Sequence, residues 1–130
     1  MMISIEGDDL GDLADALRRA AKRAPEETRK VVSKGALNIK NDWRKRWSGY
    51  AHAPALPSAV TYDIRSSGSR IEAEIGPDKA KRQGALGNLF EFGSVNNAPI
   101  PGGVPALEVE TPKFTQALED LAERLITEEL

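Results

Sequence analysis

The chain has 130 residues, eight prolines, eleven glycines and no cysteine, and its 18 basic and 20 acidic residues leave a net charge of −2. That length holds one domain with a modest core, and the lack of cysteine excludes disulfides and thiolate metal sites. No apolar run is long enough to span a bilayer, so no membrane is expected, and the acidic stretch from Met1 to Asp9 lacks the basic and apolar regions of a signal peptide.

Asp8 and Asp9 each suit the N-cap of a first helix. Leu10, Leu13, Leu17, Ala20 and Ala24 follow at helical spacing and make one apolar stripe. Pro25, with Glu26 and Glu27 behind it, reads either as the first-turn proline of a second helical segment or as a kink in one long helix. The stripe resumes at Val32, Ala36, Ile39, Trp43 and Trp47, and Ser48-Gly49 ends the helix. Tyr50 to Ser58 is a proline-containing loop. Val60, Tyr62 and Ile64 then alternate with polar residues, Ser66 to Ser69 makes a turn, and Ile71, Ala73 and Ile75 repeat the alternation. This is the pattern of an antiparallel hairpin. Lys79, Lys81 and Arg82 sit in a polar segment, and Leu86 to Phe92 reads as a short helix stopped by Gly93. The loop beyond is too rich in Pro99, Pro101, Gly102 and Gly103 to pack on itself. Val104 to Val109 reads as a third extended segment. Thr111 and Pro112 suit the N-cap and first turn of a last helix, whose buried stripe is Phe114, Leu118, Leu121 and Leu125. The expected fold is α+β: a small antiparallel sheet packed by a long kinked N-terminal helix and a C-terminal helix, in a single domain over 1–130. Loops 48–58 and 78–103 are expected to be its mobile, least stable parts.

Charge is unevenly spread. From Leu17 to Trp47 eleven Lys and Arg stand against three acidic residues, a local +8, and from Glu119 to Leu130 five acidic residues stand against Arg124, a local −4. Such polarity fits an internal match, a match between subunits, or a nucleic-acid footprint. A nucleic-acid-binding module using the basic helix 17–47 is thus the alternative function, although no reading motif accompanies it. Trp43 and Trp47, one turn apart, read as apolar anchors rather than a stacking platform, with Trp43 expected in the core. His52 is the only histidine. A hydrolase would need a nucleophile activated beside it, and neither Ser48 nor Ser58 stands in a nucleophile motif. No catalytic residue, metal site or cofactor is expected. Gly84 and Gly87 lack the remainder of any phosphate-binding fingerprint.

The segment Leu86-Gly-Asn-Leu-Phe-Glu-Phe-Gly-Ser94 carries a resemblance when taken with Ala53-Pro54-Ala-Leu-Pro-Ser58 before it and Pro105-Ala106-Leu107 after it. In this order, around a hairpin and between two helices, these motifs resemble the small tail-component family of long-tailed bacteriophages, a gene-product-ten-like group related to the lambda tail-completion protein Z. Pro105-Ala106-Leu107 stands where that family has Pro-Phe-Leu. The resemblance implies a structural protein of the head–tail junction, working without enzymatic chemistry. Copies would form a ring, expected to be a hexamer, at the top of the tail. The implied partners are the tail terminator or tail tube protein, a head-side connector or stopper, and genomic DNA passing without sequence specificity. The implied location is the virion neck, and the host cytoplasm during assembly, in a phage or a prophage. The assembly interface is expected at Leu89, Glu91, Phe92, Gly93, Pro99, Pro101, Pro105 and Leu107. Glu91 reads as an acceptor for amides of the following loop or as half of an ion pair between subunits, and with Phe92 it is expected to serve assembly more than folding.

Overall fold

A computed structural model describes residues 7–130 of the chain, with side chains described from Gly11 onward. Helix α1 spans Gly7–Arg46, about 60 Å at about 1.5 Å per residue. Asp8 and Asp9 lie within this helix. The reading of residues 1–6 and the Leu10 stripe position fall outside the described residues and side chains. The helix runs through Pro25 as one element. Pro25 and Ala21, whose carbonyl loses its usual partner, are both exposed, so water can satisfy it. Gly49, with φ +89°, turns the chain away after the last turn.

The loop after α1 ends in a single helical turn, α2 (Leu56–Ala59), with Leu56 fully buried. It leads directly into the expected hairpin. Strand β1 is Val60–Ser67 and β2 is Arg70–Pro77, antiparallel, with Tyr62 opposite Ile75 and Ile64 opposite Ala73. Only Gly68 and Ser69 remain for the turn, and Gly68 sits at φ +58° as a two-residue turn with leading glycine requires. A 3₁₀ turn, Gly84–Leu86, and α3, Gly87–Phe92, follow. The last helix, α4, is Gly103–Glu129. The fold is α+β, with both long helices antiparallel and the hairpin laid on α1.

Two expectations fail at α4. Val104 to Val109 is not extended but forms its first turns, and Thr111 is not a cap. Thr111 lies mid-helix with its hydroxyl donating to the Leu107 carbonyl at 2.7 Å. Pro112 is likewise interior, on an exposed position. The helix begins nine residues earlier than the Thr-Pro signal because a side chain from elsewhere caps it, as described below.

The core has two parts. At the α1 C-terminal end, Trp47, Ala53, Leu56 and Val60 are buried together, with Trp43, Ile75, Leu86, Phe90 and Ile100 packed against them. Along the stem, Ala20 meets Leu121 and Leu125, flanked by Ala24 and Val31. Leu17, placed inward by its spacing, is exposed instead, and Ala16 takes the buried position. Alanines at this seam let the two helices approach closely enough for Leu121 and Leu125 to fill it. At the stem's end Arg23 donates to Glu129 at 2.9 Å and Glu128 at 2.7 Å, and Arg19 donates to Glu129 at 2.8 Å. The hydrogen bonds from Arg23 and then Arg19 hold the Glu129 carboxyl below the ordinary carboxylate range.

Gly102 and Gly103 are packing residues rather than flexible loop. A Cβ on Gly103 would lie 2.6–2.8 Å from the six-membered ring of Trp43, and one on Gly102 would lie 2.6 Å from Trp43 Cδ1 and 2.9 Å from Trp47 Nε1. Gly103→Ala is expected to destabilise the domain by about 1–3 kcal/mol through overpacking, despite alanine's better helix propensity. Thermal denaturation measures it. An unchanged or raised Tm would mean that the Trp43 ring moves aside freely.

Candidate functional site

The chain from Asp78 to Val104 closes on itself and on α1. Gln83 adopts a left-handed conformation, φ 62°. Its side chain accepts from the Ala55 amide at 2.6 Å and donates to the His52 carbonyl at 3.3 Å. The two loops expected to be mobile are thereby joined. Gly84 passes so close to the Asp78 carbonyl that a Cβ would sit 1.8 Å from its oxygen, and Gly87 lies against Pro77. These close approaches seat α3 on the end of β2.

Phe90 points from α3 into the core. Its ring meets Trp47 edge-on at 5.7 Å between centroids and Tyr50 at 5.5 Å. Gly93 then reverses the chain at φ +73°, and a Cβ there would strike the Asn97 carbonyl oxygen and the Pro99 nitrogen. The returning strand is pinned twice. The Ile100 amide donates to the Phe90 carbonyl at 2.6 Å, and the Trp47 indole N–H donates to the Ile100 carbonyl at 2.7 Å.

Glu91 completes the closure. Its carboxylate accepts from the amides of Gly102 at 2.8 Å, Gly103 at 3.1 Å and Val104 at 3.1 Å. These are the N–H groups that the start of a helix leaves without partners, and a negative charge there also opposes the helix dipole favourably. The acceptor role expected from the sequence is present. Its product is the start of α4, so Glu91 serves the fold before any assembly.

The other expected interface residues divide. Gly93 is spent on the chain reversal and Pro105 is half-buried in the first turn of α4, where the missing N–H costs nothing. Phe92 is 74% exposed and Leu107 is 54% exposed. Pro99 and Pro101 are exposed on the returning strand, and Val95 at the tip of the Ser94–Asn97 turn is fully exposed. Leu89 is partly exposed on the wall of a cleft of about 520 Å³ that Tyr50, His52, Phe90 and Ile100 also line. This region thus presents apolar side chains to solvent from a backbone fixed by hydrogen bonds. Phe92 ends α3, Val95 lies in the turn after it and Leu107 lies in α4.

Among the described residues, the two serines that flank His52 in the sequence are engaged elsewhere. Ser48 donates its hydroxyl to the Arg44 carbonyl at 2.7 Å, and Ser58 contributes its carbonyl to Arg44. Among the described residues no three His, Cys, Asp or Glu side chains are grouped to hold a metal ion, and no helix is long and apolar enough to cross a membrane. Much of the basic charge on α1 is matched within the chain. Arg18 pairs with Asp15, Lys30 with Glu27, and Arg46 with Asp42, beside the Arg19 and Arg23 contacts to α4. The charge polarity is in this part an internal match.

Sequence reasoning missed Glu110, the buried carboxylate of the described chain, which is 6% exposed and accepts from Asn38 Nδ2 at 3.0 Å. A signal was present. Gly103, Ala106, Glu110, Ala117, Leu121 and Leu125 keep helical spacing from the true start of α4, but an acid among the inward positions and two prolines hid it. Comparison with protein-family profiles, with curated protein sequences and with solved structures finds no match to this chain.

Proposed function

We propose that the protein is a structural component of the head–tail junction of a long-tailed bacteriophage, a tail-completion or neck protein that assembles as a ring and joins tail to head. The observation that carries this reading is the order of the resembling motifs around one hairpin: Ala53-Pro54 to Ser58 before it, then Glu91-Phe92-Gly93-Ser94 and Pro105-Ala106-Leu107. Three features of the surface support it. Phe92, Val95 and Leu107 are exposed apolar side chains in or beside the motif segments. Glu91 and the Ile100 hydrogen bonds fix the backbone that carries them, so docking loses little conformational entropy. Unmatched cations remain on α1 for weak contact with passing DNA, without a groove or motif that reads sequence.

In this role the subunit contributes surface, not chemistry. Heterologous contacts repeated around an axis close a ring, and the tail-side and head-side partners engage its two faces. The test replaces the exposed groups rather than the cap. Phe92→Ser with Val95→Ser is expected to leave the circular dichroism spectrum and the Tm unchanged, and to abolish complementation of a phage lacking the corresponding gene. Normal particle yield from this variant would sink the assignment of the surface. A strict monomer in solution that also fails to enter necks or tails would sink the ring. Strongly salt-dependent, high-affinity DNA binding by the unaltered protein would favour the nucleic-acid module instead.

A further inference from the structure

The hairpin is a two-stranded sheet, so both strands are edges. Unpaired edges are templates for another strand, and proteins guard them with charged side chains. Here the cations of α1 cover only one edge, while β2 carries its own charges, Arg70, Glu72 and Glu74. Arg44 donates to the Val60 carbonyl at 2.9 Å, Arg29 donates to the Ser66 hydroxyl at 2.9 Å, and the Lys40 ammonium lies 5.5 Å from the Tyr62 ring centroid. All three reach from α1 to β1. Among the described residues no α1 cation reaches β2 in this way.

Beside β2 lies an apolar groove of about 240 Å³. Its floor includes Ala36 and Ile39 of α1, Ile71 and Ala73 of β2 form one wall, and Leu107 and Phe114 of α4 form the other. The hairpin and α4 both pack on α1 but leave this gap between them. Two polar residues line it, Thr111, whose hydroxyl is spent on the Leu107 carbonyl, and Glu110. Glu110 is buried, and only its Oε1 is engaged by Asn38, so Oε2 is left to accept.

We propose that the open edge of β2 and this groove form a docking site for one extended strand of a partner protein, in which apolar residues alternate with Lys or Arg. A strand laid about 4.8 Å from β2 takes up its free amides and carbonyls, every second residue of β2 offering a pair. Side chains on one face of the added strand drop into the groove and complete a third strand on the hairpin, which by itself is the smallest and least stable kind of sheet. Side chains on the other face lie across from Glu72 and Glu74 on the outward side of β2, where Glu72 pairs with Arg70 at 3.3 Å and Glu74 with Arg65 at 2.7 Å; both pairs are exposed to water and exchange readily for a new cation. Cross-strand neighbours of opposite charge favour pairing and like charges oppose it. A Lys or Arg there is favoured.

The same charges decide against a second copy. Antiparallel pairing of β2 with another β2 about Ala73 places Glu72 opposite Glu74 twice over. The occupant is therefore a different chain, and the site stands whatever larger assembly the protein joins.

The probe is a seven-residue, acetylated and amidated peptide of alternating valine and lysine, titrated into the isotope-labelled full-length protein and followed by amide chemical shifts. Shifts confined to β2 and residues 107–114 are expected. The matching valine–glutamate peptide is expected to bind at least tenfold more weakly. Leu107→Asp, at an exposed position, is expected to weaken the valine–lysine peptide at least tenfold. Glu72→Lys with Glu74→Lys is expected to reverse the preference between the two peptides. Absence of shifts at β2, shifts centred on β1 or on the outer face of α1, or equal binding of the two peptides by the unaltered protein would each overturn the proposal. The peptide comparison on unaltered protein decides the matter even if a variant misfolds.

Discussion

Trp47→Ala is expected to lower the stability of the domain by about 3–5 kcal/mol, the range for deleting a buried large aromatic. The residue has no exposed surface. Its ring lies 5.4 Å from Trp43 and 5.7 Å from Phe90, both edge-on. Its indole N–H is the partner of the Ile100 carbonyl at 2.7 Å. The substitution therefore opens a cavity where α1, α3 and the returning strand converge, and it leaves an acceptor without a donor. Trp47→Phe separates these terms. It keeps most of the ring and removes the N–H, and is expected to cost about 1–3 kcal/mol. Urea denaturation of the two variants measures both. A domain of this size is stable by about 5–15 kcal/mol, so the alanine variant stands close to unfolding at body temperature. A shift below about 1 kcal/mol for alanine would place Trp47 outside the cooperative core. Sequence spacing placed both tryptophans on the apolar stripe and expected Trp43 in the core. Trp43 is half-buried and packs against the Trp47 cluster, its indole N–H has no partner among the described residues, and its ring lies against Gly102 and Gly103.

Glu91→Ala is expected to cost about 2–3 kcal/mol, because a charge-assisted acceptor shared by three amides is removed at once. Glu91→Gln keeps an acceptor in place but loses the charge that opposes the helix dipole. Its expected cost is smaller, about 1 kcal/mol. The loss is local at first. Amides of Gly103 to Pro105's neighbours should exchange faster, and helical content should fall by the first turns of α4. Far-ultraviolet circular dichroism and amide exchange measure this beside thermal denaturation. Should Glu91→Ala retain its Tm and its helix start, the carboxylate would be free for a partner subunit, the second of the two roles read from the sequence. The hydrogen bonds to Gly102, Gly103 and Val104 argue the other way.

The hairpin and α1 were legible because their signals are local. Alternation from Val60 to Ile75 gave the strands and their shared face, and the structure keeps both. The stripe Val32, Ala36, Ile39, Trp43 and Trp47 gave the packed half of α1. The start of α4 was not legible because its cap is remote. Gly-Gly-Val-Pro has no helix-starting residue of its own, and Thr111-Pro112 mimics one nine residues late. Only a carboxylate twelve positions earlier in the chain, brought back by the Gly93 reversal, makes Gly103 a beginning. Leu17 failed for a related reason. A helix with leucines on adjacent faces does not announce which face its partner will take, and the Leu121–Leu125 pair selected the alanines. Glu110 and the groove required the three-dimensional arrangement of α1, β2 and α4.

The division of the core has a mechanical consequence. The Trp47 cluster gathers α1, α2, β1, α3 and the returning segment into one head, while residues 16–31 of α1 are held mainly to the far half of α4 by an alanine–leucine seam and ion pairs, with one link to the hairpin from Arg29 to Ser66. The helical stem is thus expected to open before the head does. The motif-bearing surface and the β2 edge keep their geometry through such openings, and the forty-residue helix transmits a pull on its far end to the head as a lever anchored at a tryptophan.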